Sequence, residues 1–144
     1  MYGRAVLVIA TVTLVGCTPL VTSSQDYRTA GARTAGDASS QVACAARAAQ
    51  LAIDDRAYQR YLGVVVSDAE RALDGIESTF GDLQPPHADD EAMRSDVLAV
   101  VGDAADEVAS VRVAIMAGRA PSAQQVERLD ELQMALRELA GELA

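Results

Sequence analysis

The stretch VLAVVGDAADEVASVRVAI, residues 97–115, decides the fold class. Its apolar residues recur in steps of three and four, which is the spacing of an α-helix with one buried face. The members of this seam are Val97, Val101, Ala104, Val108, Val111 and Ile115. We predict a helix that begins in the acidic cluster at residues 89–91 and ends at the turn Gly118-Arg119-Ala120-Pro121.

The same steps continue on both sides of this helix. Downstream, Ser122 and Gln125 have the spacing of a capping box, and the seam that follows is Leu129, Leu132, Leu136, Leu139 and Leu143. Upstream, one seam is Val42, Ala46, Ala49 and Ile53, and another is Leu62, Val66, Ala69, Leu73, Ile76, Phe80 and Leu83.

The two upstream seams are out of phase between Asp54 and Tyr61. One continuous helix up to the prolines at 85 and 86 would be ~66 Å long, so we expect a stutter, a bend near Gly63, or two helices. Asp37, Ser39 and Ser40 are the candidate N-caps.

Short connections make neighbouring helices antiparallel. The sequence therefore predicts an all-α protein. Residues 39–144 are expected to form an up-and-down antiparallel bundle of three long helices, or of four if the first breaks near residue 60. No β-strand is expected, because the helical period continues through the short apolar run at residues 64–66.

Composition excludes several classes of function. The 144 residues include 12 arginines, no lysine, 21 acidic residues and no tryptophan, with a net charge of −9, which is unfavourable for binding nucleic acid. One histidine and two cysteines are too few for a disulfide scaffold or a four-ligand zinc site. Acid-base and nucleophilic sites lack partners, and the Gly-x-Ser-x-Gly motif is missing. We expect no enzyme and no cofactor.

The N-terminal segment has the pattern of an export signal. Arg4 precedes an apolar run at residues 5–15, which is shorter than the ~20 residues that span a bilayer. The sequence Leu14-Val15-Gly16-Cys17 resembles the lipobox of bacterial lipoproteins. The resemblance implies that residues 1–16 are a lipoprotein signal peptide and that Cys17 carries acyl chains such as palmitate. These would hold the protein at the extracytoplasmic face of the cell membrane.

Residues 17–38 read as the lipidated cysteine followed by a flexible tether, because Thr, Ser, Ala and Gly dominate without an apolar period. Within this stretch, Gln25-Asp26-Tyr27-Arg28 has two interpretations. It is either a solvated linker segment, which is the preferred one, or a segment docked on the helical domain.

His87, Asp89, Asp90 and Glu91 form the strongest metal-ligand pattern in the chain. The preferred interpretation is different: acidic residues in the first turn of a helix interact favourably with its dipole and its unpaired N–H groups. We therefore predict no metal site and keep these four residues as a weak candidate.

Tyr58, Tyr61 and Phe80 are expected to be buried in the core, and a ligand groove between helices is the alternative. Cys44 is the one thiol that remains once Cys17 is acylated. It is expected to be a small packed residue, and the alternative is a disulfide to another molecule.

Two short motifs give the mature chain a resemblance to a group of actinobacterial lipoproteins of unknown role. One is Gln25-Asp26-Tyr27-Arg28 soon after the lipid cysteine, and the other is Phe80 followed by Gln84-Pro85-Pro86. The resemblance covers most of residues 17–118 and implies a small helical domain anchored outside the membrane. It implies no activity.

The expected function is that of a membrane-anchored, non-catalytic interaction module with a protein partner in the cell envelope. The alternative is a lipoprotein that binds a small ligand or a metal in an interhelical groove near residues 85–91.

Overall fold

The computed structural model describes residues 22–144, which fold into four α-helices. Helix α1 spans Ser24–Ile53, α2 spans Gln59–Gly81, α3 spans Asp90–Met116 and α4 spans Ala123–Leu143. No strand occurs in this part of the chain, so the predicted all-α class is confirmed. None of these four helices has the length and apolarity needed to cross a membrane.

Contacts between helix ends define the topology. The Arg28 guanidinium at the start of α1 donates to the Glu142 carbonyl at the end of α4, at 3.1 Å. The Gln59 amide at the start of α2 donates to the Ile115 carbonyl at the end of α3, at 2.7 Å. Successive helices are therefore antiparallel. Helix α1 packs against all three others, whereas α2 and α4 do not touch.

The bundle has two ends, named here by their relation to the N-terminal segment. The proximal end holds the starts of α1 and α3 and the α2–α3 connection. The distal end holds the α1–α2 connection, residues 54–58, and the α3–α4 connection, residues 117–122.

The long upstream helix breaks at residues 54–58, so the four-helix alternative is the one observed. The predicted alternative of a bend near Gly63 is not observed. Gly63 is buried inside α2, where an added Cβ would lie 3.1 Å from the Met116 sulfur. The break comes instead from Asp55, whose positive φ of 52° leaves the right-handed helical region.

The expected flexible tether over residues 17–38 is wrong for residues 24–38, which belong to α1. The N-cap is Ser23, whose hydroxyl accepts from the Asp26 N–H at 3.1 Å, rather than Asp37, Ser39 or Ser40. The buried positions of this segment, Tyr27, Gly31, Ala35 and Ala38, do follow a helical period. They are mostly small, so hydropathy does not reveal them.

Small residues let α1 approach its neighbours closely. A Cβ added to Gly31 would lie 3.2 Å from both the Leu143 and the Met93 side chains. Tyr27 is fully buried and stacks on Phe80, with ring centroids 5.4 Å apart. The two motifs behind the lipoprotein resemblance therefore meet at the proximal end, and the docked interpretation of Tyr27 is the correct one.

The predicted seams form the core. All six residues of the α3 seam are buried, and so are four of the five leucines predicted for α4. Ser122 and Gln125 make the predicted capping box, with the Gln125 N–H donating to the Ser122 hydroxyl at 3.2 Å. Ile53, at the end of α1, is the clear exception, since 38% of it is exposed.

Candidate functional site

The residues predicted to direct lipid attachment, Leu14, Val15, Gly16 and Cys17, lie outside the described residues. The lipid anchor at Cys17 therefore stays a prediction.

The weak metal candidate is not assembled. His87 and Asp89 are exposed, Glu91 pairs with Arg94 at 3.3 Å, and the buried Asp90 carboxylate accepts from the Ser24 hydroxyl at 2.8 Å. No group of three or more His, Cys, Asp or Glu residues within positions 22–144 could hold a metal ion. Asp90 instead ties the start of α3 to the start of α1. The predicted capping role is met in part: Asp90 and Glu91 lie in the first turn of α3, but Asp89 makes no side-chain cap bond.

The alternative groove of Tyr58, Tyr61 and Phe80 does not form, and the expected burial in the core is right for Phe80 but wrong for the two tyrosines. Phe80 lies in the core at the proximal end, whereas Tyr58 and Tyr61 are 90% and 63% exposed near the distal end. The reason is their spacing along α2: Phe80 lies near the end of the helix, and the two tyrosines lie at its start.

Cys44 is exposed, so the expectation of a packed thiol is wrong. It lies on α1 beside a shallow, mainly apolar groove of about 330 Å³, whose other walls include Arg47, Leu51, Tyr61 and Val65. Its spacing from the seam residues Val42 and Ala46 places it on the outer face of the helix.

Exposed apolar side chains concentrate at the distal end. Within residues 22–144 seven large hydrophobic side chains are exposed, and six of them lie in residues 53–64 or 113–116. These six, the distal apolar set, are Ile53, Tyr58, Tyr61, Val64, Val113 and Met116; the seventh is Met134 in α4. Single exposed hydrophobics are ordinary, but a set gathered at one end of a bundle is typical of an interaction surface.

Charge is also divided between the ends. The distal segments, residues 53–64 and 113–122, hold three arginines and two aspartates. The proximal segments, residues 22–28, 80–96 and 137–144, hold eight acidic residues and three arginines. The proximal end therefore carries a net negative charge, whereas the distal end carries a small positive excess.

A cleft of about 770 Å³ opens at the distal end between the two connections. Its apolar lining includes Ile53, Ala57 and Leu62, and its polar lining includes Arg56 and Arg119, with Tyr58 and Asp55 also on its wall. We call it the distal cleft. Its volume falls in the range of small-molecule sites, ~300–1,000 Å³.

The same backbone turn places both arginines. After α1 the Arg56 N–H donates to the Leu51 carbonyl at 3.0 Å, and after α3 the Arg119 N–H donates to the Ala114 carbonyl at 3.0 Å. Each turn passes through a residue of positive φ, Asp55 at 52° and Gly118 at 77°. Both are Schellman motifs, in which the residue after the left-handed position bonds back into the helix. Since α1 and α3 are parallel, the two motifs place both arginines at the same end.

Neither Arg56 nor Arg119 forms an ion pair with any carboxylate of residues 22–144. Neither arginine is among the residues predicted from the sequence. The available signal was an arginine one residue after a helix-ending Asp or Gly, in Asp54-Asp55-Arg56 and Ala117-Gly118-Arg119.

A second polar groove, of about 370 Å³, lies between α3 and α4 and includes Glu107, Ser110, Gln125 and Arg128. Burial raises the pKa of the Glu107 carboxyl, and the positive charge of Arg128 opposes part of that rise. One carboxylate oxygen of Glu107 is buried without a hydrogen-bond partner among the described residues. Glu107 is therefore a group that the fold holds in an unfavourable setting when it is ionised.

Replacing Glu107 with Gln is expected to raise the stability of the protein at pH 7 and to change it little at pH 4. A raised folded-state pKa stabilises the fold at low pH, where the carboxyl is protonated, and this stabilisation is lost as pH rises through that pKa. Because the site is partly open to solvent, the gain is expected to stay below about 1 kcal/mol. Thermal melts followed by circular dichroism at both pH values measure it.

The control for Glu107→Gln is Glu127→Gln, which removes an exposed carboxylate from the same groove. An equal gain for both variants, or a Glu107→Gln effect that does not change with pH, would contradict the assignment to burial.

No protein-family model, no curated protein and no solved structure matches the chain. The resemblance to actinobacterial lipoproteins stays a prediction. Inferences about function therefore rest on the residues and geometry described above.

Proposed function

We propose that the protein is a lipid-anchored, non-catalytic interaction module at the extracytoplasmic face of the cell membrane, and that its distal end docks a protein partner of the envelope. The observation that carries the docking part is the distal apolar set, which places six of the seven exposed large hydrophobics at one end of the bundle. Aromatic and methionine side chains such as Tyr58, Tyr61 and Met116 are enriched at protein interfaces.

The length of chain between the proposed anchor and the bundle supports this orientation. Six residues separate Cys17 from Ser24, and the seven peptide steps between them span at most ~25 Å. Helix α1 has 30 residues, which corresponds to ~45 Å. An anchor at Cys17 therefore holds the proximal end close to the lipid, while the distal end can extend far beyond it.

The charge of the protein does not add to the attachment. The acidic proximal end is repelled by anionic headgroups, so electrostatics do not draw the bundle down onto the membrane surface. The acyl chains alone supply the attachment.

The proposal is tested by photo-crosslinking in cells. A photoreactive amino acid placed at Val64, which is 58% exposed, is expected to capture a defined partner in the envelope fraction. The matched position is Met134, also apolar and 62% exposed but outside the distal apolar set.

Capture of one protein from position 64 and not from position 134 supports docking through the distal end. Val64→Glu combined with a probe at Tyr61 should then lower the yield at least several-fold, because a charge would be buried at the interface. Equal capture from both positions, or no capture at 64, contradicts the proposal.

A further inference from the structure

We propose that the distal cleft binds a small amphipathic anion, with a carboxylate or phosphate head held by Arg56 and Arg119 and an apolar body against Ile53, Ala57 and Leu62. This goes beyond the docking of a protein partner and does not depend on it. A bound ligand of this kind would occupy the cleft whether or not a partner covers the surrounding surface.

The two guanidinium groups at the cleft are available to bind a ligand. Arg56 and Arg119 both line the cleft, and within positions 22–144 neither makes an ion pair. Of the eleven arginines within these positions, four pair with carboxylates, and of the seven that do not, Arg56 and Arg119 are the two that line this cleft. In a chain with 21 acidic residues, two unpaired arginines on one cleft form a local positive site. A guanidinium is also the side chain best suited to bind carboxylate or phosphate with two parallel hydrogen bonds.

The backbone that carries the two arginines is preorganised for binding. The Schellman motifs at the ends of α1 and α3 fix the backbone of both arginines, and the hydrogen bond from Gln59 to the Ile115 carbonyl joins the two sides of the cleft. The backbone of the site is therefore ordered before a ligand binds, and binding has to order only the side chains of the two arginines.

The lining of the cleft is suited to an anion that has an apolar body. Apolar side chains of α1 and α2 form part of the wall, and the ring of Tyr58 is 90% exposed beside them. A bare inorganic anion would leave this apolar surface in water, so an anion with an apolar body fits better. Asp55 is also on the wall, and its negative charge opposes the binding of an anion. Removing this charge is therefore expected to tighten binding, whereas removing the charge of either arginine is expected to weaken it.

The experiment uses the full lipidated chain in bilayer nanodiscs, labelled with 3-fluorotyrosine and observed by fluorine NMR. The chain has only four tyrosines. Of the three in residues 22–144, Tyr58 lines the distal cleft, Tyr61 lies outside it, and Tyr27 is buried at the opposite end. Tyr→Phe variants assign the signals. The probes are phenylacetate and phenyl phosphate, with neutral phenylacetamide and cationic phenethylammonium as controls.

Phenylacetate or phenyl phosphate is expected to shift the Tyr58 signal saturably, with a dissociation constant on the order of 1 mM, and to leave Tyr27 unchanged. Whichever anion binds more tightly identifies the head group. Arg56→Gln and Arg119→Gln should each weaken binding about 5- to 10-fold, and Asp55→Asn should tighten it about 2- to 5-fold. Arg137→Gln, an exposed arginine near the end of α4, should have no effect.

Three results would overturn the proposal: no Tyr58 shift at 20-fold the expected dissociation constant, binding of phenylacetamide as tight as that of phenylacetate, or unchanged affinity in both arginine variants. Circular dichroism of each variant verifies that the bundle is intact, and exposed substitutions of this kind are not expected to unfold it.

Discussion

Cys17→Ser is expected to abolish acyl labelling of the protein completely. Only a thiol forms the thioether through which the diacylglyceryl group is attached, so serine at this position leaves no attachment point. Cells grown with an alkyne analogue of palmitate allow the label to be read on the purified protein. Mass spectrometry of the wild type should also show a mature chain that begins at a modified Cys17.

The chain offers a matched control for Cys17→Ser in Cys44→Ser, since these are its two cysteines. Cys44 is exposed on α1 and free of disulfide bonds, so a thiol-specific artefact would label it as well. The expected pattern is full labelling of the wild type and of Cys44→Ser, and none of Cys17→Ser. Labelling that survives in Cys17→Ser, or is lost in Cys44→Ser, would refute attachment at Cys17.

Labelling is a sharper measurement than membrane partition. A Cys17→Ser chain keeps residues 1–16 if cleavage requires the lipid, and their apolar run could itself hold some protein in the membrane fraction. A loss of label is independent of where the unprocessed chain collects. Partition then serves as the second readout, and release of Cys17→Ser from membranes is expected wherever the signal segment has been removed.

The helices that could be predicted from the sequence are those with large apolar residues on one face. Val97 to Ile115 and Leu129 to Leu143 carry seams made mainly of Val, Ile and Leu, which recur in the steps of three and four that a helix with one buried face requires. The break between α1 and α2 was indicated by the loss of phase between the two apolar seams. Its exact position is set by an aspartate of positive φ, and neither Pro nor Gly marks it in the sequence. Aspartate adopts this conformation more readily than most side chains but does not mark it clearly.

The first half of α1 could not be predicted in this way. Gly31, Ala35 and Ala38 are buried by close approach of neighbouring helices and not by their own hydrophobicity. A flexible linker uses the same residue types, so composition alone does not separate the two cases. The informative signals were Tyr27, an isolated aromatic residue in a stretch of small ones, and Ser23 three residues before Asp26.

The candidate sites also differ in how far the sequence predicts them. A sequence shows which chemically active residues are near each other along the chain, and it therefore pointed to His87, Asp89, Asp90 and Glu91. The distal cleft depends on Arg56 and Arg119, which are 63 positions apart in the chain and line one cleft only because α1 and α3 are parallel. That relation can be seen only once the topology of the bundle is known, because α1 and α3 are not successive helices and pack against each other across the diagonal of the bundle.

Tyr27→Ala is expected to destabilise the protein by about 3–5 kcal/mol, the cost of removing a large aromatic side chain from a packed core. Tyr27 is fully buried, and its ring stacks on Phe80. In a domain of this size such a loss lowers the melting temperature by ~10–20 °C. Hydrogen exchange should rise most in the first turns of α1, because Tyr27 is the one large residue among the buried positions of residues 24–38.

Two controls separate packing from other causes. Tyr27→Phe keeps the ring and removes a hydroxyl that is buried without a hydrogen-bond partner among the described residues, so its stability should equal or slightly exceed that of the wild type. Tyr61→Ala removes a tyrosine that is 63% exposed and should cost far less than Tyr27→Ala. If Tyr27→Ala melts within about 2 °C of the wild type, residues 24–38 do not pack as described. The short distance proposed between Cys17 and the bundle would then also be wrong, because it depends on a helix that begins at Ser24.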